Sequence, residues 1–302
     1  MPGDPDPGIR VAVATPALLG ESPMWHPTEQ VLYFADIPGH RLNRFDPSSG
    51  ALSHWQFDTD VASLAPRLDG TLLLAMRDGL FRFDPESGER ARLAPPPYDP
   101  AKERFNDGKC DPQGRFWVGT IYEPREPPLA TLHCWWRGEL TKRADGITVS
   151  NGLAWSPNGR TMYWSDTRSG TVYAFDFEPN DGSLSGKRVF ASFPAKRADQ
   201  PLDDYGGRPD GAAVDAEGCY WVAMFEGQRL LRLSPEGEIV RTVRLPVRCA
   251  TMPCFGGPAL KTIYITTARE NRSPRELIEQ PLAGCVLALD VDVPGLPANF
   301  VA

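Results

Sequence analysis

The sequence predicts an all-β chain folded as a six-bladed propeller of four-stranded antiparallel blades. Three observations predict it. Short runs rich in β-branched and aromatic residues recur along all 302 residues, each too short for a typical helix. The chain holds 28 Gly and 31 Pro, so turns are frequent and long helices are not expected. The runs also repeat at a spacing close to that of a propeller blade, roughly 40–50 residues.

Each unit opens on a turn, and the six turns begin at His26, Leu68, Asp111, Ser156, Asp215 and Gly257. The intervals between them are 42, 43, 45, 59 and 42 residues. The long interval contains a stretch rich in Asp, Gly and Pro, residues 195–207. After each turn comes a strand-like run: 31–34, 71–76, 115–118, 161–164, 219–222 and 262–265. A second run follows at 41–45, 79–83, 171–175 and 229–233, where alternation suggests one buried and one wetter face. Several second runs end in turn chemistry, at Asp46-Pro47, Asp84-Pro85 and Ser234-Pro235. Residues 9–14 (IRVAVA) are a natural strand to complete the last blade and close the ring. Closure removes the exposed sheet edges of an open array. A sandwich or barrel would explain short strands but not six units in register. The one good helix signal is Ser273-Pro-Arg-Glu276, a capping box with Pro at the first helical position, expected to start a short insertion before Gln280-Pro281. The expected organisation is a disordered lead-in over 1–8 and one propeller domain over 9–302.

The formal net charge of −7, with no dense Lys/Arg cluster, makes nucleic acid and anionic membrane poor partners. No apolar stretch approaches a membrane span, and the opening MPGDPDPG lacks the basic and apolar regions of a signal peptide. The six cysteines contain no Cys-x-x-Cys pair and read as buried, reduced thiols of a cytoplasmic protein. A monomer or weak oligomer is expected.

Five residues before each turn stand Glu21, Ser63, Asn106, Asn151, Asp210 and Met252. In a propeller these positions lie on the innermost strands, at one height around the axis. Glu21, Asn106, Asn151 and Asp210 are therefore expected to converge at one mouth of the central channel. Taken singly, Asn106-Asp107-Gly108, Asn151-Gly152 and Asp210-Gly211 are also ordinary turn signals. Converging carboxylates repel unless a cation or proton sits among them. Two carboxylates with amide carbonyls suit one hard divalent cation such as Ca²⁺, Mg²⁺ or Mn²⁺; Zn²⁺ is less expected without His or Cys donors, although carboxylate can bind it, and Fe²⁺ stays open. Arg104 is two residues before Asn106 and returns to the same strand face, where it would meet substrate hydroxyls or a carbonyl; otherwise it is a solvated loop residue. Asp107 supports that group from behind or caps a turn. No Gly-x-Ser-x-Gly elbow, His-Glu-x-x-His or phosphate-binding glycine pattern supports other chemistries.

These residues carry a resemblance. The chain is similar to the gluconolactonase (SMP-30) family that includes regucalcin, from about Leu18 to Leu289. The matching stretches are GESPMW at 20–25, RFNDGK at 104–109 through Gly119-Thr120, SNGL at 150–153, PDG at 209–211, and CFGG at 254–257 through Thr267-Ala-Arg269. The resemblance implies a six-bladed propeller in which Glu21, Asn151 and Asp210 bind one divalent cation. It implies that Arg104 and Asn106 contact a sugar lactone and that Asp210 is the general base. A further family acid falls near Glu123, where residues 122–126 (YEPRE) offer two choices of match. The carboxy-terminal half looks most like bacterial sugar-acid lactonases, which implies glucono- or pentonolactones as substrates and aldonic acids as products. Two rival functions stay open at this point: a metal-dependent propeller esterase or phosphotriesterase acting on apolar substrates, and a non-catalytic propeller that binds calcium or a protein.

Overall fold

The computed structural model describes residues 4–302. Among them, six four-stranded antiparallel sheets form a ring. A short strand, β1 (Arg10–Val13), precedes the first blade, which contains β2 (Gly20–Trp25), β3 (Leu32–Asp36), β4 (Arg41–Asp46) and β5 (Ala51–Gln56). The second has β6 (Val61–Pro66), β7 (Leu72–Met76), β8 (Gly79–Phe83) and β9 (Arg90–Ala94). The third has β10 (Glu103–Cys110), β11 (Phe116–Tyr122), β12 (Ala130–Trp136) and β13 (Glu139–Ile147). The fourth has β14 (Ser150–Trp155), β15 (Thr161–Asp166), β16 (Thr171–Phe177) and β17 (Leu184–Ser192). The fifth has β18 (Arg208–Val214), β19 (Tyr220–Phe225), β20 (Arg229–Leu233) and β21 (Ile239–Arg244). The last has β22 (Ala250–Gly256), β23 (Thr262–Thr267) and β24 (Val286–Asp290).

The fourth place in the last blade is taken by β1, whose Arg10 and Val11 pair with Ala288 and Leu287 of β24. The ring thus closes with strands from both ends of the chain, as residues 9–14 lead one to expect. Arg10 adds two hydrogen bonds to Asp290, at 2.9 and 3.0 Å, but both side chains are exposed and such a pair contributes little. The lead-in expected over 1–8 falls partly on residues 1–3, outside the described residues; within it, the Asp6 amide donates to the Arg244 carbonyl at 3.0 Å. The predicted helix is present as α1 (Pro274–Glu279), with the Ser273 hydroxyl accepting from the Glu276 amide at 3.1 Å. No helix among the described residues is long and apolar enough to cross a membrane.

The runs that follow each turn are the second strands of the blades. The strand before each turn is the innermost, and β2, β6, β10, β14, β18 and β22 contact one another in order around the axis. Their side chains are buried almost throughout, whereas outer strands such as β5, β9 and β21 are largely exposed. The core lies between neighbouring blades, for example where Leu42, Leu74, Phe83 and Phe116 meet.

The turns contribute buried anchors. Asp111 accepts from the Gln113 and Arg115 amides through one oxygen, and from Arg115 Nε (2.6 Å) and Trp117 Nε1 (2.9 Å) through the other. Asp215 does the same with Trp221 Nε1 (2.9 Å) and Arg232 Nε (2.8 Å) two blades on. Each buried charge has its counter-charge and its hydrogen bonds, the condition under which a buried carboxylate is tolerated.

The end of the channel beyond these turns is crossed by the last residues of the chain. The Gly295 amide donates to Leu260 O (2.8 Å), Val301 to Pro66 O (2.8 Å), Ala302 to Gly114 O (3.1 Å) and Asn299 Nδ2 to Cys110 O (3.2 Å). Behind this strap is a cavity of about 260 Å³, lined mainly by apolar residues such as Met24, Leu64, Trp155 and Leu296.

Candidate active site

At the opposite end of the channel the innermost strands lose their regular pairing. Register breaks fall between Glu21 and Met24, Phe105 and Gly108, Asn151 and Ala154, and Pro209 and Ala212. Such bulges re-aim side chains and are frequent beside active sites. Here they sit at the four polar positions of the repeat, and the same break recurs at its other two, between Val61 and Ser63 and between Ala250 and Met252. Local backbone conformation sustains them. Gly152 has φ +64°, and a Cβ there would lie 2.3 Å from Tyr220 Oη. A Cβ on Gly211 would meet the Met252 side chain at 2.4 Å. These glycines therefore let neighbouring innermost strands approach closely.

The predicted residues converge. Asn106, Asn151 and Asp210 are buried, and Glu21 keeps partial access to the channel. Asn106 Nδ2 donates to Asn151 Oδ1 at 2.8 Å and to Ser150 O at 2.9 Å. Asn151 Nδ2 donates to Asp210 Oδ1 at 2.6 Å and to Thr167 Oγ1 at 2.8 Å. Arg104 Nη1 donates to Asn106 Oδ1 at 2.7 Å and to Phe105 O at 2.9 Å. A continuous chain thus runs from Arg104 through Asn106 and Asn151 to Asp210, across three blades. The remaining two positions carry Ser63 and Met252, which add no charge to the ring, and both are buried.

The electrostatics follow from burial. Loss of water, then the charge of Asp107, pushes the Asp210 carboxyl up to about 8, against the opposing pull of Arg208, Asn151 and Arg104. Burial pushes Glu21 well above its ordinary value, and Asp210 and Asp107 push it in the same direction. Asp107 is raised by burial as well, with Lys109 opposing. Its Oδ2 accepts from the Leu153 amide at 2.9 Å, which ties blade three to blade four. Its Oδ1 is buried with no hydrogen-bond partner among the described residues. Lys109 Nζ donates to Ala212 O at 2.7 Å and makes no hydrogen bond to that oxygen.

This arrangement fits a divalent cation. Glu21, Asn151 and Asp210 present two carboxyl groups and an amide oxygen, and burial with the charge of neighbouring carboxylates raises both carboxyls, a penalty that a cation among them would offset. His, Cys and carboxylate groups do not come together in threes among the described residues. The donor set is all oxygen, which matches hard cations.

Glu123 lies at the rim rather than in the ring. Its carboxylate accepts from Arg77 at 2.8 and 3.0 Å, and Arg104 Nε is 3.9 Å away. The Arg77 hydrogen bonds hold Glu123 below the usual carboxylate range. Arg77 also pairs with Asp60 at 2.7 Å, and Asp60 lies 3.1 Å from His40 Nε2. Sequence reasoning missed Asp60 and Arg77. Arg77 sits in the hairpin after β7, outside the repeat register, and only its neighbour Asp78 hints at a turn there.

Comparison with known proteins agrees with this fold. A family model described as "SMP-30/Gluconolactonase/LRE-like region" matches residues 19–269. The chain belongs to this family. It is 41% identical to a 6-deoxy-6-sulfogluconolactonase of Pseudomonas putida over 95% of this chain and 96% of that one. It is 34% identical to regucalcin of Oryctolagus cuniculus, with 92% and 93% covered. Among solved structures, a calcium-binding regucalcin of Agrobacterium tumefaciens superposes with a TM-score of 0.91 at 27% identity, covering 97% of each chain. Family membership accounts for the shared propeller.

Proposed function

We propose that the protein hydrolyses lactones of sugar acids to aldonic acids, with Glu21, Asn151 and Asp210 holding one divalent cation at the channel mouth. The observation that carries the reading is Asp210: buried, clamped by Asn151 at 2.6 Å, and raised to about 8 at the mouth of the channel. The names of the Pseudomonas putida and Agrobacterium tumefaciens relatives, a lactonase and a calcium-binding protein, support the lactone class and the cation respectively.

A divalent cation, when bound, supplies Lewis acidity at the lactone carbonyl and favours ionisation of a nearby water. Asp210 is the general base. A carboxyl near 8 is basic enough to accept a proton from the attacking water, but at pH 7 it is ionised only in part until positive charge favours its anionic form. The water oxygen adds to the carbonyl carbon as Asp210 takes its proton. The ring C–O bond then breaks, and the proton passes to the departing ring oxygen. The product is an open-chain hydroxy acid. Asn106 holds Asn151 in orientation, and Arg104, fixed by Asn106 and Phe105 O, offers its remaining N–H groups to ring hydroxyls. Glu123 takes part in substrate binding through the rim that it forms with Arg77.

The experiment is acid release from glucono- and pentonolactones, compared with an acyl-homoserine lactone and an aryl ester, against a protein-free blank. Each is run after chelation and after adding back Ca²⁺, Mg²⁺, Mn²⁺, Zn²⁺ or Fe²⁺. The expected result is chelator-sensitive acceleration confined to the sugar lactones. Acceleration of apolar esters alone would move the protein to the rival hydrolase reading, and no acceleration with any cation would leave a binding role.

A further inference from the structure

The rim of the mouth holds more positive charge than the lactone chemistry uses. Arg208 stands two residues before Asp210, as Arg104 stands two residues before Asn106. Alternation along a strand therefore puts both on the side of the residues that form the site, one step nearer the opening. Arg125 joins them from the loop after β11, held at φ +67° with its amide donating to Tyr122 O at 2.8 Å. A non-glycine residue in this left-handed region is disfavoured by about 1 kcal/mol, so the turn is kept against its own preference. Arg168 is anchored beside it, donating to the Arg125 carbonyl at 2.9 Å.

The acceptors at the rim are already taken. Arg77 occupies Asp60 and Glu123, at 2.7 and 2.8 Å. Arg168 occupies Glu126. Glu226 is shared between Arg208 (3.1 Å) and Arg272 (3.2 Å). Arg125 has no carboxylate within ion-pair distance among the described residues. Arg208 Nε is buried without an acceptor, while the guanidinium lies over the Phe225 ring at 5.3 Å, which fixes its plane. Arg104 hydrogen-bonds only to neutral oxygens, and the Glu123 carboxylate, already held by Arg77, stands 3.9 Å from its Nε. Burial, then the charges of Arg104, Arg208 and Arg168, lower the pKa of Arg125 against the opposing charge of Glu123, so Arg125 lies within the field of the other three guanidinium groups. Like charges gathered with open donors want an anion, and guanidinium groups suit tetrahedral or planar oxyanions through paired N–H donors.

We propose that Arg125 and Arg208, with Arg104 below them, form an anion subsite, and that the preferred substrate is an aldonolactone carrying a strong-acid oxyanion, a sulfonate or phosphate, on its terminal carbon. With the carbonyl at Asp210, the far end of the sugar points outward to the rim, where these donors stand. The inference rests on the lactonase reading and adds to it the substrate's charged tail.

The test compares glucono-1,5-lactone with its 6-phosphate and its 6-deoxy-6-sulfonate, for the wild type, Arg125→Gln and Arg208→Gln. A charge-assisted hydrogen bond is worth roughly 10- to 100-fold in affinity. The wild type is expected to favour a charged lactone over the neutral one by at least about tenfold in kcat/KM, chiefly through KM. Each variant is expected to lower that ratio by ~10- to 100-fold. The sulfonate and phosphate arms show which oxyanion fits better. Equal kcat/KM on charged and neutral lactones, or a ratio the variants leave in place, would overturn the subsite. Calorimetry with 6-phosphogluconate and gluconate separates this from failure of the lactonase reading. Selective 6-phosphogluconate binding lost in Arg125→Gln, in a protein with no turnover, would sustain the subsite and sink the lactonase assignment. Equal affinities for the two acids would sink the subsite whatever the turnover.

Discussion

Asp210→Asn tests the electrostatics of the site without reference to any substrate. In the folded protein without a cation, the Asp210 carboxyl titrates near 8 rather than at its ordinary 3.8. The folded state therefore keeps a proton that the unfolded chain has already lost. Stability must fall as pH rises from about 4 to about 8 and level off above that. Buried histidines act in the opposite sense at lower pH. Burial lowers His133 to about 4 and lowers His26, so the unfolded chain takes up more protons than the folded one until pH passes the ordinary value of 6.5. The clean window is thus pH 6.5 to 8. Over those units the Asp210 contribution amounts to about 2 kcal/mol, or roughly 4 °C in Tm for a chain of this size. Glu21 is raised too and adds in the same direction. The assay is thermal unfolding of chelator-treated protein at both pH values, wild type against Asp210→Asn. Asparagine keeps the shape and can still accept from Asn151. The wild type should lose about 2 kcal/mol relative to the variant, and a saturating divalent cation should abolish the loss in the wild type only. Parallel profiles for the two proteins, within about 0.5 kcal/mol, would refute the reasoning.

Further expectations follow from individual contacts. Asp210→Ala should lose both cation affinity, read by calorimetry, and turnover, whereas Arg104→Ala should keep its cation and lose substrate affinity; an Arg104→Ala protein that cannot bind a cation would contradict this division of roles. Gly152→Ala places a methyl group 2.3 Å from Tyr220 Oη on a backbone at φ +64°, so unfolding should show a loss of about 2 kcal/mol or more, with weakened cation binding because Asn151 is its neighbour. Arg77→Met frees Glu123 from its two hydrogen bonds, at 2.8 and 3.0 Å. It should raise KM for a sugar lactone several-fold while leaving cation affinity in place, a split that steady-state kinetics and calorimetry resolve.

Much of this architecture was legible because a propeller converts sequence period into position around an axis. Equal offsets from six turns become equal heights on six innermost strands, so Glu21, Asn106, Asn151 and Asp210 could be gathered without any structure. Residues 9–14 read as a strand to complete the last blade, and β1 takes that place beside β24. What the period does not mark was not legible. Asp60, Arg77 and Glu123 meet across two blades from a strand edge, a hairpin and a loop, and no offset relates them. Glu123 was singled out only by family likeness, and its partner Arg77 was not. The strap over the far end of the channel was also unforeseen. Its backbone bonds to Pro66, Gly114 and Leu260 are tertiary and carry no local signature. The bulges at Asn106, Asn151 and Asp210 were visible only as Asn-Asp-Gly, Asn-Gly and Asp-Gly turn signals. Asn106, Asn151 and Asp210 satisfied both readings at once, since the irregular backbone is what turns their side chains together.

The most direct test of the central claim is the rate of glucono-1,5-lactone opening by wild type and Asp210→Asn in matched samples, first chelated and then titrated with a divalent cation. The account predicts a rate at the spontaneous level for both proteins after chelation, and recovery with added cation in the wild type alone. Full turnover by chelated wild type, or by Asp210→Asn under any condition, would contradict it.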